Sequence, residues 1–220
     1  MKINAQDLMF FLKRFQFTKR IEEIVIEEKD EQMYILANDN DLIVFGMYEE
    51  FWSQEEPLGL NINSICNYLK GQDEVDITFT DRIIIKGKGT LEYKAISPRW
   101  VSTRPEMEID PFKMVSMFDK RCYIDKETKG IIQNLLATTQ ASSVKFDSVG
   151  IHAGTDNEHM ISYEIETGLD EGIEMRVNKE TLVNVLKKSQ ELNIKFSDSV
   201  TDAIMVTTDD VFYAIKTVVE

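Results

Sequence analysis

The sequence predicts an α+β protein of two similar domains, each with two helices and antiparallel sheets. Three observations carry this. First, the 220-residue chain aligns with itself at an offset of 117: Leu58 falls on Met175, Leu60 on Val177, Asn61 on Asn178, Ile65 on Leu182, Leu69 on Leu186, Ile77 on Ile194 and Phe79 on Phe196. An offset of 120 extends the match to Ile3 with Tyr123, Phe11 with Ile131, Phe15 with Leu135, Ile24 with Val144, Ile84 with Ile204 and Tyr93 with Tyr213. Identities are few, but the apolar class is kept, and a unit this long present twice means two domains rather than a solenoid. Second, the order short strand, helix, strands, helix, strands occurs twice. Third, residues 97–120 hold three of the four prolines and little periodicity, the mark of a connector. The domains are therefore expected at 1–98 and 121–220, joined by residues 99–120.

The elements follow in order. Residues 5–15 place Leu8, Phe11, Leu12 and Phe15 at spacings of three and four, an amphipathic helix. Period-two strands are expected at 24–26, 33–37 and 42–47, with the Asn38–Asp41 run as a turn between the last two. A strand at 58–60 leads to a helix capped by Asn61 or Asn63, bearing Ile65, Cys66 and Leu69 and ended by Gly71. Val75, Ile77 and Phe79 alternate as a strand, and 83–85 with 91–96 form a hairpin across the Lys86–Gly89 turn. In the second half Asp125 caps a helix with Ile131, Ile132, Leu135 and Leu136. Strands follow at 144–146, 150–153, 161–165 and 174–177. Asn178 caps a helix with Leu182, Val185 and Leu186, and strands at 192–196, 204–206 and 211–219 close the chain.

Composition excludes several classes. No apolar run approaches the ~20 residues of a membrane span, and no secretory leader is expected at the N-terminus. Cys66 and Cys122 lack metal or redox spacing and read as reduced thiols, which points to the cytoplasm. His152 and His159 match no zinc motif and read as a solvated turn. The Gly87–Thr90 segment is not a phosphate-binding loop, residues 38–41 are not an EF-hand, and no nucleophile elbow or cysteine–histidine signature is present. No cofactor, no metal and no enzymatic activity are expected.

The net charge of −14 argues against nucleic acid when taken alone, but its distribution reverses that reading. Residues 1–20, 61–72, 126–140 and 178–190 carry +4, +1, +1 and +2, which leaves −22 on the rest of the chain. Lysines at helix C-termini have an ordinary explanation in the helix dipole. It does not account for all four helical segments leaning the same way, nor for Lys13 and Arg14.

The duplicated helix–sheet unit, the four basic helices, the acidic remainder and the proline-bearing connector together resemble the DNA polymerase sliding clamps, of the proliferating cell nuclear antigen and tailed-phage type. The strongest local pieces are residues 175–198 and 211–219. The resemblance implies two clamp domains per chain and a homotrimeric ring around duplex DNA. It implies a DNA polymerase and a clamp-loader ATPase as partners and no membrane. The compartment would be the cytoplasm, the host's if viral, or the nucleus if eukaryotic. The DNA-facing set it implies is Lys13, Arg14, Lys19, Arg20, Lys70, Lys126, Lys129, Lys179, Lys187 and Lys188, of which Lys13, Arg14, Lys187 and Lys188 are expected to be exposed. It implies a partner-peptide pocket at Met107, Ile109, Phe112, Met114, Met117 and Phe118 with Tyr213 and Ile215. Core packing is the plain alternative for these apolar residues, although a methionine-rich patch suits variable partners. The second helix offers only Lys70, and no acidic C-terminal tail is evident. Competing readings are a clamp-like subunit of a repair, checkpoint or late-transcription assembly, an acidic DNA mimic, and an enzyme with one cleft between similar domains. A mimic should carry carboxylates on its helices, and the enzyme should repeat a titratable cluster.

Overall fold

The computed structural model describes residues 2–17, 20–29, 32–51, 56–103, 111–154, 160–208 and 210–218. The chain divides into two compact units. The first holds Met1–Asp39 and Val44–Glu106; the second holds Asn40–Ile43 and Met107–Glu220.

In the first unit β1 (Lys2–Asn4) runs into α1 (Ala5–Phe15), followed by β2 (Glu23–Lys29), β3 (Gln32–Asp39), β4 (Leu42–Phe51) and β5 (Leu58–Asn61). Then come α2 (Ile62–Leu69), β6 (Glu74–Phe79), β7 (Arg82–Lys86) and β8 (Thr90–Lys94). One sheet has the order β1-β6-β7-β8; β5, β2, β3 and β4 lie side by side in that order. A 3-10 turn at Pro98–Trp100 follows.

The second unit begins with α3 (Pro111–Val115), a short helix within the segment expected to be an irregular connector. It continues with β9 (Lys120–Ile124), α4 (Lys126–Thr138), β10 (Ser143–Phe146), β11 (Gly150–Ala153), β12 (Ile161–Glu164), β13 (Met175–Asn178) and α5 (Lys179–Leu186). The strands β14 (Leu192–Phe196), β15 (Ala203–Thr207) and β16 (Val211–Lys216) end it. Its sheets have the orders β12-β11-β10-β13 and β16-β15-β14-β9. Each unit is thus a helix pair on antiparallel sheets, as the repeat predicted.

Every one of the four longer helices starts directly after a strand, on an Asn or Asp in extended conformation. Asn4 Oδ1 accepts from the Gln6 and Asp7 amides at 2.9 and 3.1 Å, and Asn61 from Ser64 at 3.0 Å. Asp125 accepts from Thr128 at 2.7 Å and Asn178 from Thr181 at 3.0 Å. Each cap satisfies an amide that the first helical turn leaves without an intrahelical partner, worth about 1 kcal/mol. Asn61, not Asn63, caps α2, and Gly71 leaves that helix at φ 75°, a conformation a side chain would resist. Leu8, Phe11, Leu12 and Phe15 bury one face of α1; Ile62, Ile65, Cys66 and Leu69 do the same for α2. In the second unit the buried faces are Ile132 and Leu136 on α4, and Leu182, Val185 and Leu186 on α5. Full burial of such a side chain stabilises by roughly 1.5–3 kcal/mol.

Strand register corrects the repeat at its ends. Ile3 pairs with Val75, and Ile124 pairs with Leu192, so Ile3 corresponds to Ile124 rather than Tyr123. Phe11 therefore matches buried Ile132, and Phe15 matches buried Leu136, whereas Ile131 is exposed. Ile24 opposite Leu60 and Val144 opposite Val177 keep the offset of 120 there. In the last hairpins Ile77 pairs with Ile85 and Ile194 with Val206, while Ile85 pairs with Leu91 and Val206 with Tyr213. Leu91 thus answers to Tyr213, and Tyr93 to Ile215. Adjacent apolar residues such as Ile131 and Ile132 preserve the apolar class under a one-residue slip, which is why class alone did not fix the frame.

Candidate nucleic-acid interface and peptide groove

Within each unit the two helices pack antiparallel. At one end of the first pair the Gln16 side-chain amide donates to Asn63; at the other Gln6 Nε2 donates to the Gln72 carbonyl at 3.2 Å. In the second pair lysines take this part. Lys129 Nζ, in the first turn of α4, donates to Ser189 O at 2.6 Å, and Lys179 Nζ, opening α5, donates to Thr139 O at 2.7 Å.

The expected cations sort by environment. Lys13, Lys70, Lys126 and Lys187 are exposed, one at each of the four longer helices. Lys13 lies in the last turn of α1, Lys126 opens α4, and Lys70 and Lys187 are the C-caps of α2 and α5. Lys70 also donates to Asn67 Oδ1 at 2.9 Å. Lys129 and Lys179 are half-buried against carbonyls, and Lys188 is half-buried, with its ammonium pushed down to about 8 by burial.

Two expectations of exposure fail. Arg14 is only 7% exposed, and its guanidinium lies 4.6 Å from the centre of the Phe10 ring, because the arginine falls at the edge of the helix face that carries Phe11 and Phe15. Lys188 is drawn in beside the buried end of α5. Arg20 is ion-paired with Asp39, which neutralises its charge locally. Lys19 lies outside the described residues.

The sequence reading missed Lys88. The β7–β8 turn folds against the exit of α2: Tyr68 Oη accepts from the Gly87 amide at 3.1 Å and donates to Gly89 O at 2.7 Å, and Lys88 Nζ donates to Gly71 O at 2.8 Å. Lys88 also faces Asp73 at 3.4 Å. The signal was the Gly-Lys-Gly tip, read there only as a turn.

A cavity of about 590 Å³ opens in the second unit. Leu42, Ile43, Met114, Met117, Phe118, Ala203 and Ala214 give it an apolar lining, with Asn40, Asp41, Ser199, Thr201, Asp202 and Lys216 as polar groups. The turn after α3 supplies one wall, closed by the Met117 amide on Met114 O at 2.9 Å. Asp41 is held by the Lys216 amide on its carbonyl at 2.8 Å and by Thr181 Oγ1 on its carboxylate at 2.6 Å.

Of the expected pocket residues, Met114, Met117 and Phe118 line this cavity. Tyr213 and Ile215 are fully buried and face away from it; alternation along β16 gives the cavity Ala214 and Lys216 instead. Phe112 packs edge-on against Phe212, centroids 5.7 Å apart, and is not among the lining residues. Met107 and Ile109 lie outside the described residues. Residues 40–43 and 199–203 were missed: the first span the expected turn at 38–41 and the start of the expected strand at 42–47, and the second lie unassigned between two expected strands.

His152 is not in a solvated turn. It sits in β11, with one ring nitrogen 2.9 Å from Asp147 Oδ1 and the other 2.9 Å from Ser162 Oγ. Partial burial raises the Asp147 carboxyl, but bonds from His152, Lys145 and the Val149 and Gly150 amides outweigh it and hold the group well below the usual carboxylate range. His159 lies outside the described residues. Among the described residues no His, Cys, Asp and Glu cluster is arranged to hold a metal ion, and no helix is long and apolar enough to cross a membrane.

This architecture is that of the DNA polymerase sliding clamps, and the likeness spans the whole chain. A PCNA from A. fulgidus, in a structure with the C-terminal region of FEN-1 bound, matches at TM-score 0.74 and 15% identity, over 100% of this chain and 98% of that one. The PCNA2–PCNA3 complex from Sulfolobus tokodaii gives 0.69 at 16% identity over 99% of each chain. The DNA polymerase III beta subunit from Thermotoga maritima gives 0.75 at 14% identity, over 100% of this chain but 65% of that one. No protein-family model and no curated protein matches the sequence. Likeness at such identities establishes the fold.

Proposed function

We propose that this chain is a DNA sliding clamp, a ring-forming processivity factor that encircles duplex DNA and tethers a DNA polymerase. The observation that carries this reading is the exposed lysine at every one of the four longer helices, on a chain whose remaining residues are strongly net acidic, with the basic stretch 82–99 as an exception. Residues 164–174, for instance, contain five carboxylates and no base. Lysines spread over helix surfaces attract phosphates without reading sequence, which suits sliding; an acidic exterior keeps DNA from binding elsewhere. An acidic DNA mimic would show the opposite arrangement.

Ring closure is supported by two open sheet edges. The first unit ends its sheet at β8 and the second at β12. By the repeat, β8 corresponds to β16, and β12 to β4. In the second unit the start of β4 already lies against the end of β16, where the Lys216 amide meets Asp41 O. The same pairing of β8 in one copy with β12 in the next is head-to-tail and closes by rotation. The chain covers nearly all of the PCNA chains but about two thirds of the bacterial beta subunit; a ring of three copies, each of two units, is the reading this length supports. A clamp-loader ATPase would open the homotrimer, and the cavity beside α3 would take a polymerase peptide.

Retention on circular but not linearised duplex DNA after loading tests the reading. A chain that sediments as a monomer at micromolar concentration in all salts overturns it.

A further inference from the structure

We infer that Phe10 and Ile131 form a duplicated apolar contact with the DNA backbone, adding a component of binding that salt does not screen. The inference rests on the clamp reading and concerns the same helical surface. Phe10 is 56% exposed and Ile131 42% exposed. In the frame fixed by strand register these are the same position in the two units, each one residue before a buried core residue. A single exposed apolar side chain needs no explanation. Retention of one at the same place in two halves that share few identities does.

The surroundings select the occupant. Lys13 is exposed one turn beyond Phe10, and the Arg14 guanidinium stacks on the Phe10 ring. Asn134, the counterpart of Lys13, is exposed one turn beyond Ile131. Beside Ile131 stands Gly130, in the middle of α4, where an added Cβ would meet nothing within 4 Å. No packing demand therefore explains a glycine that weakens the helix; close approach by a ligand backbone does. A protein partner would be read by one groove. A contact repeated in both units, with a cation one turn beyond Phe10 and an amide one turn beyond Ile131, fits a repetitive polyanion whose sugars offer apolar surface between phosphates, although exposed Asp7 and Glu127 lie one turn before them.

The test is binding of the full-length protein to a short linear duplex over a range of salt concentrations, followed by fluorescence anisotropy. The Phe10→Ala/Ile131→Ala variant should lose at least about threefold in affinity at every salt concentration with an unchanged salt slope, since apolar burial does not release counterions. Lys13→Ala should flatten the slope. Phe10→Leu should recover affinity, and a thermal melt should show the double variant folded. If the double variant binds like wild type while Lys13→Ala flattens the slope, the inference is overturned and the clamp reading stands. If neither variant alters binding, the DNA reading of this surface fails, and the inference with it. A change in molar mass of the double variant without loss of affinity would make the patch a contact between copies and overturn the inference.

Discussion

Lys129 Nζ donates to Ser189 O at 2.6 Å, tying the first turn of α4 to the segment just past α5. Lys179 makes the reciprocal bond to Thr139 O at the other end of the antiparallel pair. The Lys179 ammonium sits on the C-cap carbonyl of α4, where the dipole is negative, and the Lys129 ammonium on a carbonyl just beyond the C-cap of α5. Two of the cations on this helix pair thus hold the pair together.

Replacing either of these lysines with Ala should cost about 1 kcal/mol of stability, the scale of one charge-assisted hydrogen bond at a helix end. Urea unfolding measures it. DNA affinity should change less than for Lys126→Ala or Lys187→Ala. Equal losses of affinity across all four variants, with unchanged stability, would return Lys129 and Lys179 to the DNA-facing set.

The exposed set should behave differently. Lys13, Lys70, Lys126 and Lys187 changed together to Glu should abolish retention on circular DNA and leave the protein folded, each change costing about 0.5 kcal/mol and nearer about 1 kcal/mol at Lys13, Lys70 and Lys187, where Glu opposes the helix dipole. Arg14→Glu should instead destabilise the fold by about 3 kcal/mol, because it puts a carboxylate where a buried guanidinium lies on an aromatic ring. Circular dichroism melts of the two variants separate these outcomes.

The fold was legible because each helix announces itself twice, by an Asn or Asp cap and by an apolar face at spacings of three and four. The site was legible only as composition. Which cations are spent inside the protein depends on partners distant in sequence: Lys129 with residue 189, Lys179 with residue 139, Arg20 with Asp39. The cavity was half legible. The apolar run 112–118 pointed to it, but alternation along β16 should have selected Ala214 over Tyr213 and Ile215. Its other wall comes from the start of β4 and the segment before β15, whose apolar residues read as ordinary strand core.

Lys188 gives a pH signature. Burial lowers its folded ammonium to about 8 from the ordinary lysine value of 10.5. A depressed folded value means the unfolded chain binds more protons between these limits, so this residue makes stability rise as pH climbs through that window; below about 8 its penalty is complete. Lys188→Met should raise stability at neutral pH and remove this rise. The comparison is between the two proteins at each pH, because Cys66 and Cys122, raised by burial, contribute in the opposite sense. Parallel stability curves for the two proteins would mean the Lys188 ammonium is solvated.

The last prediction separates the groove from the core on a single strand. Ala214 lines the cavity, while its neighbour Tyr213 is fully buried behind it. Enlarging Ala214 to Phe should fill the space that an apolar anchor of a polymerase peptide would occupy. Buried anchors of this kind each contribute about 2 kcal/mol or more, so affinity for the peptide should drop at least about thirtyfold. Met114→Ser should weaken it in the same direction by removing a wall. Tyr213→Ala should lower stability by about 3–5 kcal/mol, because it leaves a hole behind β16. Phe112→Ser should lose its packing on Phe212 and affect stability before peptide binding. Isothermal titration with the C-terminal peptide of the polymerase, run beside thermal melts, reads both effects. Peptide affinity that survives Ala214→Phe in the folded protein would move the docking site away from this cavity.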